Sequence, residues 1–208
     1  MLRFQSFIRL CAGRIGTEFN ASALSNETGV AVPTIQEWLS VLEASYVVFR
    51  LPPFFRNVGK RLVKSPKLYF CDTGLACFLL GIETDAHLDT HPLRGALFEN
   101  LVVLEFYKSQ LHHGKLPNLY FYKDKSQREV DLVQEQSNTL HAYEIKSARR
   151  FHRSFTDNLQ YFQKVAGKDV VSTKVIYNGE VNSDLLFNGI LNFRWLAAGN
   201  FYQLKFRI

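Results

Sequence analysis

Two stretches of alternating polar and apolar residues, separated by a short polar turn, lie in the middle of this 208-residue chain. They cover residues 128–134 and 140–146. Such alternation is the pattern of a half-buried β-strand, because successive side chains point to opposite faces of a sheet. The sequence therefore predicts a β-hairpin whose turn is centred on residues 137–138.

The predicted register of this hairpin brings acidic side chains together. Asp131 should face Glu144 and Glu129 should face Lys146, all on one face of the sheet. Directly opposed like charges destabilise a sheet unless something neutralises them. A divalent cation would do so, and magnesium or manganese suits carboxylates better than zinc does. The alternative is that Glu129 pairs with Lys146 while Asp131 is solvated on an exposed face.

A third acid, Glu99, lies on a helix predicted over residues 95–112. Val102, Val103 and Phe106 follow it at helical spacing, so Glu99 should lie on an apolar, inward-facing stripe. A buried carboxylate requires a partner. The alternative is a first-turn glutamate that is favoured only by the helix dipole.

These acids lie in three motifs that occur in a fixed order. The motifs are Gly95-x-x-Phe98-Glu99-Asn100, Glu129-Val130-Asp131-Leu132-Val133 and Glu144-Ile145-Lys146-Ser147. Together they resemble the PD-(D/E)xK nuclease-like core, although Val130 stands where that motif has proline. More narrowly, the chain resembles the C-terminal region of bacterial and archaeal AAA+-type P-loop ATPases, the domain of unknown function four-one-four-three. An upstream stretch also fits that family's Pro-Lys-x-Tyr-x-x-Asp-x-Gly pattern, namely Pro66-Lys67-Leu68-Tyr69-Phe70-Cys71-Asp72-Thr73-Gly74.

The resemblance covers nearly the whole chain and implies roles for four residues. Asp131 and Glu144 would ligate the metal, and Glu99 would be an auxiliary helix acid. Lys146 would orient or activate the attacking water, or stabilise the phosphorane-like charge. The implied cofactor is magnesium or manganese. Because fold kinship does not establish activity, the alternative is a catalytically inert protein- or DNA-interaction module of the ATPase.

No ATPase motif occurs in this sequence. Its Gly-Lys steps lack the upstream glycine and the following Ser or Thr of G-x-x-x-x-G-K-[ST]. ATP is therefore expected to bind only in a further N-terminal domain of a full-length protein. The AAA+ ATPase domain is accordingly one predicted partner.

The first ninety residues predict a winged helix-turn-helix unit. Asn20 caps a short helix, Gly29 makes the turn and Pro33 opens a second helix. Segments 46–51 and 68–70 suggest the strands of a wing. This stretch of chain is therefore expected to fold separately from the hairpin region.

Basic residues cluster in two places, which favours contacts to a nucleic-acid backbone. The predicted contacts are Arg56, Lys60, Arg61 and Lys64 in the wing loop, and Arg149 and Arg150 after the hairpin. Solvated loop charge is the alternative. Residues 18–49, by contrast, contain four glutamates and no lysine or arginine. The second helix is therefore expected to pack or to dock a protein rather than to contact base edges.

The pattern after the hairpin predicts a helix over residues 154–167, a strand over 170–177 and a last strand over 191–197. The expected fold is α/β, with a winged-helix-like unit over residues 1–90 and a PD-(D/E)xK nuclease-like mixed sheet with flanking helices over residues 91–208.

Composition points to a cytoplasmic protein with no membrane partner. No apolar run is long enough to span a bilayer, and the three cysteines form no paired motif, which predicts reduced thiols. The formal charge of +6 is compatible with a nucleic-acid partner.

Overall fold

The chain divides into two compact units in the computed structural model, which describes residues 2–55, 65–180 and 188–194. Unit 1 consists of residues 1–51 and 65–101, and unit 2 of residues 52–64 and 102–208. Residues 91–101 thus fall in unit 1, although the sequence pattern predicted that they belong to the second domain. The physical reason is that Leu97 packs in the core of unit 1 and that Asn100 hydrogen bonds to the backbone of Phe70.

Unit 1 combines helices with a two-stranded antiparallel sheet. Its helices are α1 (Leu2–Ala12), α2 (Ala21–Thr28), α3 (Val32–Ala44), α4 (Thr73–Leu79), α5 (Asp85–Thr90) and the first part of α6 (Arg94–His112). Its strands are β1 (Val48–Leu51) and β2 (Lys67–Phe70).

Local sequence signals account for the two central helices of unit 1. The Asn20 side chain accepts a hydrogen bond from the Ala23 N–H, and Gly29 ends α2 with a φ of 64°. Glycine adopts this left-handed conformation without the steric penalty that other residues pay. The predicted cap and turn are therefore confirmed. The predicted apolar stripe of α3 is also buried, at Ile35, Leu39 and Leu42.

Unit 2 is built on a five-stranded mixed sheet of order β3-β4-β5-β6-β7. The strands are β3 (Leu119–Lys123), β4 (Glu129–Gln136), β5 (Thr139–Lys146), β6 (Val170–Tyr177) and β7 (Asn188–Asn192). β3, β4 and β5 pair antiparallel, whereas β5, β6 and β7 pair parallel. The mixed α/β fold predicted from the sequence is confirmed.

Helix α7 (Asp157–Ala166) covers part of this sheet. Its Leu159 and Phe162 belong to the same buried cluster as Val133, Ala142 and Val175 of the sheet. The predicted helix is confirmed over α7, but its first turn, Arg153–Thr156, is a 3₁₀ helix. Among the helices of the described residues, none has both the length and the apolar character needed to cross a membrane.

The last predicted strand has the wrong bounds. β7 begins at Asn188 and ends at Asn192, whereas the sequence predicted residues 191–197. Residues 195–197 lie outside the described residues. β7 owes its place to parallel pairing with β6, which sets Ile190 opposite Val175. Its Asn and Gly residues have low strand propensity, so the local pattern could not show where the strand begins.

Candidate active site

The β4–β5 hairpin has the register that the sequence predicted. Leu132 pairs with Tyr143, and Gln136 pairs with Thr139 at the turn. The two turn residues, 137 and 138, both have positive φ angles of 46° and 70°, as a tight hairpin turn requires. Continued by one residue, the same register sets Asp131 opposite Glu144.

Three of the predicted residues come together on this hairpin. The Lys146 Nζ lies 2.7 Å from Glu144 Oε1 and 3.5 Å from Asp131 Oδ2. Asp131 Oδ2 also accepts a hydrogen bond of 2.7 Å from the backbone N–H of Ile145. The lysine thus bridges both acids, and a backbone donor fixes the orientation of Asp131.

Burial makes the two acids unequal. The Glu144 side chain is 4% exposed, the Asp131 side chain 11% and the Lys146 side chain 34%. Burial, with a further contribution from the Asp131 charge, raises the pKa of Glu144 from 4.5 to about 8, although Lys146 and Asn158 act in the opposite direction. The site therefore favours a proton or a positive charge on Glu144.

One carboxylate oxygen of this site lacks a hydrogen bond. Glu144 Oε2 is buried and has no hydrogen-bond partner among the described residues. The Asn158 side chain on α7 is a polar neighbour of the Glu144 carboxyl group, but it is not a hydrogen-bond partner of Oε2. Buried polar atoms are nearly always paired, so an orphaned one indicates a functional requirement or a missing ligand.

Glu99 lies in unit 1, where other residues hold it. Its Oε1 accepts a hydrogen bond of 3.1 Å from Lys67 Nζ and one of 2.5 Å from the hydroxyl of Tyr69. The side chain of Lys67 is only 5% exposed and that of Glu99 16% exposed. Lys67 and Tyr69, both in unit 1, are thus the partners that a buried Glu99 was expected to need. Its role as an auxiliary acid beside Asp131 and Glu144 stays a prediction.

The remaining predicted contacts are only partly described. Arg149 and Arg150 are exposed in the loop after β5, whereas Arg56, Lys60, Arg61 and Lys64 lie outside the described residues. Glu129 pairs across strands with Lys123, at 3.6 Å between Lys123 Nζ and Glu129 Oε2. Within the described ranges, no group of three or more His, Cys, Asp or Glu side chains is placed to hold a metal ion.

Two asparagines near these acids were given no role by the sequence, although Asn100 ends the first of the three motifs. Asn158 precedes the buried Phe162 by one helical turn, and this spacing was a signal that it faces inward. Asn100 is fully buried, and its side chain hydrogen bonds to both the N–H and the C=O of Phe70. No local pattern in the sequence predicts that Asn100 binds the backbone of Phe70, because Phe70 is thirty residues away.

Comparison with known proteins supports the family resemblance of the second half of the chain. Residues 94–194 match the family model described as Domain of unknown function (DUF4143), the family indicated by the motifs, and residues 1–86 match Domain of unknown function (DUF8612). No solved structure gives a significant match.

Two mycobacterial proteins are similar to this chain. They are Uncharacterized protein Rv2008c of Mycobacterium tuberculosis and Uncharacterized protein Mb2031c of Mycobacterium bovis, each 33% identical over 168 residues. Each match covers 79% of this chain and 36% of the relative. The chain therefore spans little more than a third of the length of the curated relatives it matches.

Proposed function

We propose that the chain is a nuclease-like, nucleic-acid-associated region of an AAA+-type ATPase, and that its Asp131–Glu144–Lys146 cluster supports metal-dependent hydrolysis of a phosphodiester in the cytoplasm. The observation that carries the proposal is the pair of neighbouring, largely buried carboxylates, one of which has an oxygen without a hydrogen bond. Burying two such carboxylates costs free energy unless a cation binds them and compensates their charge.

The donor set fits magnesium or manganese. Both are hard cations that take oxygen ligands, and magnesium commonly binds through only one or two carboxylates with water or phosphate oxygens completing its shell. Asp131 and Glu144 would hold the ion, and Glu144 Oε2 is the buried oxygen that needs a partner. When bound, such an ion lowers the pKa of a water molecule and offsets charge on phosphate oxygens.

The residues of the hairpin have distinct tasks in this proposal. The Ile145 N–H holds the Asp131 carboxylate in one orientation. The Lys146 side chain is about a third exposed, so its ammonium group can reach a bound phosphodiester and stabilise the negative charge that develops on it. The burial of Glu144 keeps bulk water from competing for its carboxylate oxygens.

One observation favours the second candidate, a catalytically inert protein- or DNA-interaction module. Lys146 already lies within 3.5 Å of an oxygen of each acid. A lysine in this position compensates the paired carboxylates without any metal ion. The cluster would then stabilise the hairpin, and the binding surfaces would lie elsewhere.

The wider assignment rests on similarity and on element order. The family match over residues 94–194 supports the resemblance, and it is the resemblance that implies a place in an AAA+ ATPase, whose motor would lie in a different part of the full-length protein. In unit 1, the sequence of α2, a glycine turn, α3 and the β1–β2 pair supports a winged helix.

Cleavage assays on the full 208-residue chain test the enzymatic proposal. Labelled single-stranded and duplex DNA and RNA would be incubated with magnesium or manganese, with the chelator EDTA as the blank. We expect Asp131→Asn, Glu144→Gln and Lys146→Ala each to abolish metal-dependent cleavage. The matched control is Glu129→Gln, which removes a carboxylate from the strand that carries Asp131 and should leave cleavage unchanged.

Circular dichroism melting of every variant would verify the fold. Cleavage that persists equally in wild type and Lys146→Ala would point to a contaminating nuclease. Wild-type protein that cleaves none of the substrates, alone or joined to an ATPase domain, would favour the interaction module.

A further inference from the structure

A cleft of about 590 Å³ opens at the carboxyl ends of the three parallel strands of unit 2. β5 ends at Lys146, β6 at Tyr177 and β7 at Asn192, and the cleft is lined by residues at or just after these ends. In open α/β sheets, ligands bind at the carboxyl ends of parallel strands. The volume also lies within the range of small-ligand sites.

The charge of this cleft is predominantly positive. Arg149, Arg150 and Arg194 line it and are exposed, whereas Glu180 is its acidic lining residue. Arginine offers a planar fork of N–H donors that matches the oxygens of a phosphate group. Three such forks around one cleft favour an anionic ligand that carries more than one phosphate.

The lining of the cleft is closely packed and partly aromatic. A Cβ atom at Gly179 would lie 2.1 Å from Tyr177 Cε2 and 2.6 Å from the carbonyl oxygen of Arg149, so only glycine allows this close approach. Asn192 Nδ2 donates a hydrogen bond to the Gly179 carbonyl oxygen. The half-buried Phe151 ring contacts the buried Tyr177 ring edge-on, with 6.2 Å between the two ring centroids.

We infer that this cleft binds a single-stranded nucleic-acid segment, with the arginines on its phosphates and Phe151 against a base. Aromatic side chains beside arginines are the combination that holds unpaired strands, because every base offers a face for stacking. Duplex DNA presents its phosphates but not its base faces, so it would contact the arginines but would not stack on Phe151.

The cleft adjoins the proposed active site through the backbone. The N–H of Asn178 donates a hydrogen bond of 3.2 Å to the carbonyl oxygen of Lys146. A strand bound in the cleft would thus lie beside the β5 end that carries Lys146. The inference rests on the proposed function for its substrate class, but binding itself needs no metal ion.

The test is fluorescence anisotropy of a labelled oligothymidylate with the full chain, in EDTA, across a series of salt concentrations. The double variant Arg150→Gln/Arg194→Gln should weaken binding by about a hundredfold, since each of its two charged hydrogen bonds to phosphate contributes about tenfold. It should also lower the salt slope by about 1.4, at about 0.7 for each phosphate contact to a single strand.

Two controls make this test specific. Arg153→Gln, compared with the single variant Arg150→Gln, removes the same charge from an exposed position nearby that is not among the lining residues of the cleft, and it should bind like wild type. A strand of the same length without bases should bind about tenfold more weakly than oligothymidylate, because stacking of a base contributes about that much. Melting curves would verify that every arginine variant is folded.

Equal weakening by Arg153→Gln would show that general charge is responsible and would overturn the inference. Equal affinity for the strand without bases, or for an acidic peptide of the same charge, would overturn it as well. The two proposals fail separately. Wild-type cleavage that the double variant leaves intact would refute the cleft alone. Arginine-dependent binding without any cleavage would refute the nuclease alone.

Discussion

Glu144→Gln tests whether the burial of this carboxylate has the energetic consequence that its surroundings indicate. Burial and the neighbouring Asp131 raise the pKa of Glu144 from 4.5 to about 8. The unfolded chain, by contrast, ionises this group near its ordinary pKa. Between these two pH values the folded protein binds more protons than the unfolded chain, so the free energy of unfolding falls as pH rises.

The magnitude follows from the width of that interval. The stabilising contribution of the protonated form is fully present below pH 4.5 and is lost as pH rises through about 8. An interval of about 3.5 pH units, at about 1.4 kcal/mol each, gives an upper limit of about 5 kcal/mol. Glutamine has the shape of the protonated acid and does not ionise, so the variant should lack this loss.

The assay is urea unfolding at pH 5 and pH 8 in EDTA, followed by far-UV circular dichroism and by fluorescence. Coincident transitions would justify a two-state analysis of a chain with two units. The variant should gain about 2–4 kcal/mol relative to wild type between the two pH values, since this window covers about three of those pH units. Its matched control is Glu129→Gln, which removes a carboxylate that is 26% exposed from the neighbouring strand.

An equal stability difference between Glu144→Gln and wild type at both pH values would refute this reasoning. A gain in the Glu129→Gln control as large as that of Glu144→Gln would refute it as well, because burial would then not be the cause of the pH dependence.

Three other substitutions probe the remaining buried polar contacts. Asn100→Leu should lower the free energy of unfolding by about 2–4 kcal/mol, since it leaves the backbone N–H and C=O of Phe70 without their side-chain partner; a loss below about 1 kcal/mol in urea would contradict this. Lys67→Met should cost about 3 kcal/mol by leaving Glu99 without its cation, and Glu99→Gln added to it should recover part of that loss, which thermal melting of both variants would measure. Magnesium should raise the melting temperature of wild type but not that of Asp131→Asn, because an ion that binds only the folded state stabilises it; equal shifts would remove the metal ion from the site.

The hairpin shows how far sequence alone can reach. Period-two alternation in two short segments and a polar turn between them predicted the register in which Leu132 faces Tyr143. The pairing is local, so chain connectivity limits its alternatives, and a slip of one residue would turn every apolar side chain to the wrong face. The same locality explains why the Asn20 cap and the Gly29 turn were predictable.

Contacts between distant segments were not predictable in this way. The motif containing Glu99 was visible in the sequence, but the Lys67 and Tyr69 partners of its side chain were not. The last strand was misplaced because pairing with β6, rather than its own residues, sets its bounds.

The sequence by itself determined the cap and turn of α2, the apolar stripe of α3, the hairpin register and the three residues that meet on the hairpin. Each of these depends on short-range periodicity, capping or turn chemistry, which neighbouring residues specify. Tertiary structure alone decided that Glu144 would be more deeply buried than Asp131, that Lys67 and Tyr69 would hold Glu99, and that three arginines would share one cleft. Those arrangements depend on which strand ends and helices pack together across long separations, and side-chain periodicity carries no information about that choice.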